Sequence, residues 1–236
     1  MLRLVSMAIG LLALSGCISD LPPDVSGPRI IAELKAASGG AALDQPSGFH
    51  ETGTLIRDGK PATYETWGDF KTMKTVSTMT VDGHAMTNGY DGNSTWATDP
   101  SGAVRTDASP QALASARLGA YLTIGGYFYP DRFPARFVYD GPREWDYKTF
   151  DVVTVTPEGA LPVDLWIDRT THLLQRVSGE DGAESFYAGV LRYKVIDGVQ
   201  IPFELAQVQG SSRIQQTLTS YTFETVPPEK FAPPAR

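Results

Sequence analysis

The chain has 236 residues and carries 20 Lys and Arg against 27 Asp and Glu, a net charge of −7. A hydrophobic share of 42% is enough for a sizeable core, while the net acidity and the lack of any basic run speak against nucleic acid as a partner. The single cysteine excludes an internal disulfide and any paired-cysteine metal or redox motif.

The chain opens with Met1-Leu2-Arg3, a short positive start, and continues with an apolar run from Leu4 to Leu14 broken by Ser6 and Gly10. That run is too short to span a bilayer, and small residues follow it, so residues 1–16 read as a secretory signal peptide. The tetrapeptide Leu14-Ser15-Gly16-Cys17 resembles the lipobox of bacterial lipoproteins. The resemblance implies cleavage before Cys17 and acylation of its sulfur; the plainer alternative is an ordinary signal peptide with an incidental cysteine. One acyl chain holds weakly at roughly 0.8 kcal/mol per buried methylene, so two or three chains would make a lasting membrane anchor. In a Gram-negative host, Ile18 after the cysteine, in place of Asp, implies the outer membrane with the domain facing the periplasm. Residues 17–28, with Pro22 and Pro23, read as the acylated cysteine and a tether. Only Arg3 among the cations would leave with the leader, so the mature chain stays acidic and is not drawn to anionic head groups.

Residues 29–236 read as one domain. A helix is predicted from Arg29 to Leu43, with Pro28 in its first turn and Ile30, Ile31, Leu34, Ala37 and Ala41 near helical spacing. Beyond it, Asp-Gly pairs recur at 58–59, 82–83, 91–92, 140–141, 181–182 and 197–198 and supply the positive φ angles of tight hairpins. Alternating runs surround them: Val163, Leu165 and Ile167; Leu191, Tyr193 and Val195; Val199, Ile201, Phe203 and Leu205. Period-two alternation of this kind marks antiparallel sheet with one apolar face. Pro202 cannot donate to a ladder, which places it at an edge, a bulge or a strand start. A second helix begins at Ser109-Pro110 and ends at Gly125-Gly126, with Ala114, Leu118, Tyr121 and Leu122 on one stripe. The tail from Val226 is proline-rich and reads as extended.

The fold expected is mainly β with a few helices: a large curved antiparallel sheet of about ten or eleven strands, which the resemblance described below implies is an open half-barrel. It covers the N-terminal helix and a mid-chain lid helix. A barrel of that size is too wide to be filled by sheet side chains alone, so helices, a ligand or both must occupy it. The gap between helix and sheet is then the expected apolar cavity, with Leu118, Tyr121 and Leu122 from the lid and Leu165, Ile167, Ile201 and Phe203 from the strands as candidate ligand-binding residues.

Three segments resemble the LolA/LolB superfamily of periplasmic lipoprotein carriers. They are Tyr90-Asp91-Gly92 with Trp96 and Asp99-Pro100-Ser101-Gly102; Pro162 to Asp168 running into Thr171-His172-Leu173-Leu174; and Tyr193 to Phe203. The resemblance implies an open half-barrel with a helical lid over an apolar cavity, and Cys17 sides with the membrane-bound receptor of that pair. It also implies an exposed apolar loop tip, for which Met79 to Met86 is the nearest candidate, and a lid-holding arginine, which matches no residue here. Partners implied are the membrane through acylated Cys17, a lipid or lipoprotein acyl chain, and a periplasmic carrier or envelope protein.

Sequence chemistry names no catalytic residue, metal ligand or cofactor. His50, His84 and His172 form no HExxH or Cys/His spacing, and neither a GxSxG elbow nor a phosphate loop occurs. Asp168 and His172 flank a turn and read as a solvated pair. The expected function is therefore non-enzymatic acyl-chain or lipoprotein binding in the cell envelope. An interaction lipoprotein with a filled interior is the alternative, and an envelope hydrolase would need a perturbed group in a cleft that no residue supplies.

Overall fold

The computed structural model describes residues 26–181 and 184–234. The leader, Cys17 and the tether up to residue 25 lie outside the described residues, as does Gly182 of the Asp181-Gly182 pair. Helix α1 spans Gly27–Ser38; the Ser26 hydroxyl accepts from the Arg29 amide at 3.4 Å, and Pro28 sits in the first turn. The helix predicted to reach Leu43 stops five residues earlier. Gly39 takes φ +139°, outside helical space, and a Cβ there would lie 2.9 Å from the Gly198 carbonyl oxygen. The rest of the predicted helix, Gly40–Asp44, is a tighter 3-10 turn.

Six strands follow: β1 (Gly48–Arg57), β2 (Lys60–Asp69), β3 (Thr75–Val81), β4 (His84–Tyr90), β5 (Thr95–Thr98) and β6 (Val104–Asp107). Helix α2 (Pro110–Thr123) and a 3-10 turn at Gly126–Phe128 come next. Seven more strands complete the sheet: β7 (Ala135–Trp145), β8 (Lys148–Pro157), β9 (Val163–Asp168), β10 (Leu174–Asp181), β11 (Glu184–Ile196), β12 (Val199–Gln209) and β13 (Ser212–Phe223). All thirteen lie in one antiparallel sheet in the order β6-β5-β4-β3-β2-β1-β13-β12-β11-β10-β9-β8-β7, open between β6 and β7. The count exceeds the ten or eleven expected because β5 and β6 are four residues each and carry no apolar alternation.

Three of the Asp-Gly pairs turn hairpins with both residues at positive φ, at 58–59, 82–83 and 197–198. Asp140-Gly141 is instead a bulge inside β7, where the register against β8 shifts between Tyr139 and Gly141. The β7–β8 turn falls at Asp146 and Tyr147, both at positive φ. Pro202 occupies an irregularity, opposite Tyr193 where the β11–β12 register slips.

Two meanders thus meet at the β1–β13 pair, and the segment holding α2 runs from one free edge to the other. The main core lies on the inner face. There Ile30, Ile31 and Leu34 of α1 and Leu118 and Tyr121 of α2 pack with Val153, Val155, Val163, Leu165 and Ile167. The outer face of the first meander is covered by the C-terminal tail, which is a 3-10 turn at Pro228–Phe231 and not simply extended. Val226 and Phe231 bury against Val76 and Trp96, and the Trp96 indole donates to the Phe231 carbonyl at 3.0 Å. On the outer face of the second meander, the Arg176 guanidinium lies 5.2 Å from the Trp166 ring centroid.

Leu34 is fully buried where α1 meets the sheet. Leu34→Ala should lower unfolding stability by about 2–5 kcal/mol, read as a drop in the urea midpoint at unchanged m-value.

Candidate functional site

Helix α2 is fixed at its start by Ser109, whose hydroxyl accepts from the Ala112 amide at 3.3 Å, and at its end by Gly125 in the left-handed region. Of its predicted lid residues, Leu118 and Tyr121 are buried and Leu122 is half-buried. The structure brings these three into one cluster with Leu165 and Ile167. Ile201 and Phe203 lie in a neighbouring cluster with Leu43, Val199 and Leu218, and Phe128 packs against both. The seven residues therefore line two adjoining apolar volumes. Leu165 and Tyr121 are wholly covered, so the interior beneath α2 is occupied by its own side chains.

Open space begins one turn up the helix. A groove of about 440 Å³ runs between the first turns of α2 and the β9–β10 end of the sheet; Ala114, Leu161, Pro162 and Val163 form its apolar wall, and Thr154, Asp164, Ser178 and Glu180 form a polar one. Ala114 belongs to the stripe read from the sequence. Leu161 and Gly179 carry no sequence signal of their own, because a loop residue and a strand glycine look alike whether or not a helix lies opposite.

Contacts at the two ends of the helical segment differ in kind. At the base, the Tyr129 hydroxyl donates to the Leu43 carbonyl at 2.8 Å and Arg132 donates to the Phe70 carbonyl at 2.6 Å. Burial, then the Asp44 charge, push the Tyr129 hydroxyl up to about 12, against the opposing pull of Arg132, so it remains a neutral donor. At the rim, Arg117 reaches both meanders: its Nε donates to the Tyr90 hydroxyl at 3.3 Å and its Nη1 to the Glu158 carbonyl at 3.1 Å. Tyr90 ends β4 and Glu158 follows β8, so one guanidinium spans the opening. Beneath it the buried Tyr121 hydroxyl has no hydrogen-bond partner, an omission of about 1–3 kcal/mol carried by the packed face of α2.

The inner face is not apolar throughout. Glu51 on β1 is opposite Tyr221 on β13 and Thr66 on β2, next to the stack of Phe49 on Tyr221 at 5.2 Å. Burial pushes its carboxyl up to about 7, with no neighbouring cation to draw it back.

Elsewhere the candidate chemistry dissolves into turns. The Asp168 carboxylate accepts from the Thr170 and Thr171 amides at 2.8 and 2.9 Å, and the His172 imidazole lies 3.8 Å from Glu33. The predicted Asp168–His172 side-chain pair is therefore replaced by an Asp-capped turn. The expected apolar tip at Met79 to Met86 is a tight β3–β4 hairpin whose Met79 and Val81 pack inward beside Leu55, Ala62 and Tyr64. Among the described residues, no group of three or more His, Cys, Asp and Glu side chains could hold a metal, and no helix is long and apolar enough to cross a membrane.

No protein-family model matches the sequence, and no curated protein matches it. Solved structures do match. A LolA superfamily protein from Nitrosomonas europaea is 11% identical with a TM-score of 0.60, over 88% of this chain and 98% of that one. A DUF1329 family protein from Desulfovibrio piger is 13% identical at 0.58, over 87% and 95%. A putative outer membrane lipoprotein-sorting protein domain from Vibrio parahaemolyticus is 16% identical at 0.55, over 84% and 92%. The chain has a LolA/LolB-like fold.

Two outcomes follow from this geometry. Arg117→Ala should speed amide exchange across residues 110–123 by tenfold or more, since a charged hydrogen bond contributes about 1.5–3 kcal/mol, while exchange in β8 and β9 stays within twofold. Separately, Glu51 binds its proton in the folded state up to about pH 7 but releases it near 4.5 when unfolded, so stability should fall as pH rises between those values. Glu51→Gln should flatten that slope in urea titrations from pH 5 to 8.

Proposed function

We propose that this chain is a cell-envelope lipoprotein that takes an acyl chain, of a lipid or of another lipoprotein, into the inner face of its half-barrel. The observation that carries the reading is the groove between α2 and β9–β10, whose apolar wall of Ala114, Leu161, Pro162 and Val163 opens beside a helix held at its rim by Arg117. A chain entering there meets Ala114, Leu161 and Val163 first. As α2 lifts, Leu118, Tyr121 and Leu122 exchange their contacts with Leu165 and Ile167 for contacts with the guest. Driving force comes from apolar surface leaving water, with the guest replacing what the helix gives up. Ile201 and Phe203 extend the apolar surface beyond Phe128 and would receive a longer chain.

In this reading Cys17 is acylated and the protein is held on its membrane by that anchor, on the outer membrane facing the periplasm in a Gram-negative host. Its exchange partner would be a periplasmic carrier or another envelope protein. No covalent step on the cargo is required, in keeping with a non-enzymatic role. The LolA/LolB-like fold supports this reading.

A second reading draws on the packed interior. Leu34, Tyr121, Val153 and Leu165 are fully covered, so a partner-binding lipoprotein with a permanently closed core also fits that observation. Native mass spectrometry of the domain from Ile18 onward, offered a fatty acid or lipopeptide, separates the two. Acyl-chain binding predicts a stoichiometric adduct that Ala114→Trp reduces at least tenfold by filling the groove. An apo mass at all ligand concentrations selects the partner-binding role.

A further inference from the structure

A second open space lies on the other side of the sheet, on the outer face of the first meander. A groove of about 620 Å³ runs over β13, β1, β2 and β3, close to the Asp58-Gly59 and Asp82-Gly83 turns. Its size falls within the ~300–1,000 Å³ usual for small-molecule sites. Cross-strand pairing sets Thr217 against Thr54, Thr54 against Thr63 and Thr63 against Thr80, so four threonines of the groove form one row across four strands. They alternate along their strands with Leu55, Ala62, Tyr64 and Met79, which pack inward. Thr54, Thr63 and Thr217 are exposed and Thr80 is half-buried. The neighbouring row of the same groove is Gln215, Ile56 and Pro61, and Ile56 is 49% exposed.

Threonine is an ordinary residue on an exposed strand, and the row alone would mean no more than that. Three observations add to it. In the next row the polar groups satisfy one another: Glu65 bonds to the His50 imidazole at 2.7 Å, and the Thr78 and Thr87 hydroxyls to each other at 2.9 Å. Among the described residues, the four groove threonines and Gln215 make no such side-chain bond. The groove also has no ionisable side chain on its walls, and the nearest charge along the row, Glu204 opposite Thr217, is already paired with Arg192. Lastly, the polar row lies beside an exposed apolar strip, so one ligand could meet hydroxyls on one edge and Ile56 and Pro61 on its flat side.

We propose that this groove is a binding site for a neutral, linear oligosaccharide lying across the strands, separate from the acyl groove on the inner face. Each threonine hydroxyl offers one donor and two acceptor lone pairs, as does each hydroxyl of a sugar, so either partner can take either role along the row. Strands lie ~4.8 Å apart, which gives the four hydroxyls a reach of about 14 Å and favours a chain of sugar rings over a single ring. The C–H face of a pyranose ring rests on Ile56 and Pro61, while the Gln215 amide closes the apolar row with a donor and an acceptor. An anionic sugar would give up hydration at a wall that returns no cation, and an alkyl chain would leave the threonine hydroxyls without partners.

The test titrates maltohexaose, cellohexaose and chitohexaose into the chain from Ile18 onward, which keeps the whole sheet and both helices, and follows backbone amide shifts by NMR. At least one should bind with a Kd of about 1 mM or tighter, with the largest shifts at residues 54–56, 61–63 and 215–217. It should bind at least tenfold more tightly than its own monosaccharide, and at least fivefold more tightly than hexagalacturonate. Thr54→Val and Thr63→Val keep shape and strand propensity and should each weaken binding about threefold or more, the loss of one hydrogen bond. Thr222→Val, on the same face of β13 but outside the groove, should leave it within a factor of 1.5. Absence of binding by all three hexasaccharides at ~10 mM overturns the site, as does binding that neither groove variant weakens. Equal affinity for monosaccharide and hexasaccharide overturns recognition along the row, and equal affinity for hexagalacturonate overturns the preference for neutral chains. None of these outcomes bears on acyl binding at the inner face.

Discussion

Everything in this molecule depends on the pairing of β1 with β13. Among the described residues, every other strand neighbour is also a sequence neighbour, joined by a turn, whereas this pair joins Phe49 to Phe223. Without it the chain is two unconnected meanders with no common inner face. The pair is fastened at its far end by Asp58, whose carboxylate accepts from the Arg213 amide at 2.8 Å and the Ser212 hydroxyl at 2.9 Å. Those bonds hold the Asp58 carboxyl below its ordinary range. At the near end, Phe49 stacks on Tyr221 and leans on Phe70. Joining the meanders in this order puts β6 and β7 at opposite edges, and the chain between them has to cross the inner face. The covering helix is thus a consequence of the topology before it is a device for anything else.

That crossing explains why the interior has two characters. Where α1, α2 and the 3-10 turn lie against β8 and β9, aromatic and branched side chains exclude water. Beyond Phe49, no helical residue belongs to the cluster of Leu55, Ala62 and Tyr64, and the sheet satisfies itself by folding its own side chains together. Glu51 falls on the border between the two regimes. Burial pushes its carboxyl up, so this border is where the interior's stability depends on pH.

Much of the frame was legible in the sequence. Ser109-Pro110 and Gly125 delimit α2, three Asp-Gly pairs turn hairpins, and the alternation of Val163, Leu165 and Ile167 reads directly as a buried face with Trp166 on the other. The remainder depended on information that pattern does not carry. Asp140-Gly141 has turn chemistry but is used as a bulge, since the turn six residues on sets the β7–β8 register. Strands β5 and β6 are too short and polar to show a period. Phe231 looked like part of an extended tail because nothing local says that Trp96 needs a carbonyl. Arg117 carries no signal in the sequence; only the meeting of two segments distant in the chain, at Tyr90 and Glu158, gives it a task. Glu51 follows His50 in a strand where neither neighbour announces which side faces in.

An open sheet of thirteen strands leaves two free edges, and unpaired edges invite a further strand from another chain. Here both are ill suited to accept one. β6 offers four residues, Val104, Arg105, Thr106 and Asp107, of which the last three are solvent-exposed and two are charged. β7 is longer but is kinked by its bulge and continues through Pro142, Arg143 and Glu144, which interrupt its donors and present opposite charges. The architecture that leaves a half-barrel open at its lips is thereby kept from growing at them, so copies brought close together keep their sheets from zipping into one another.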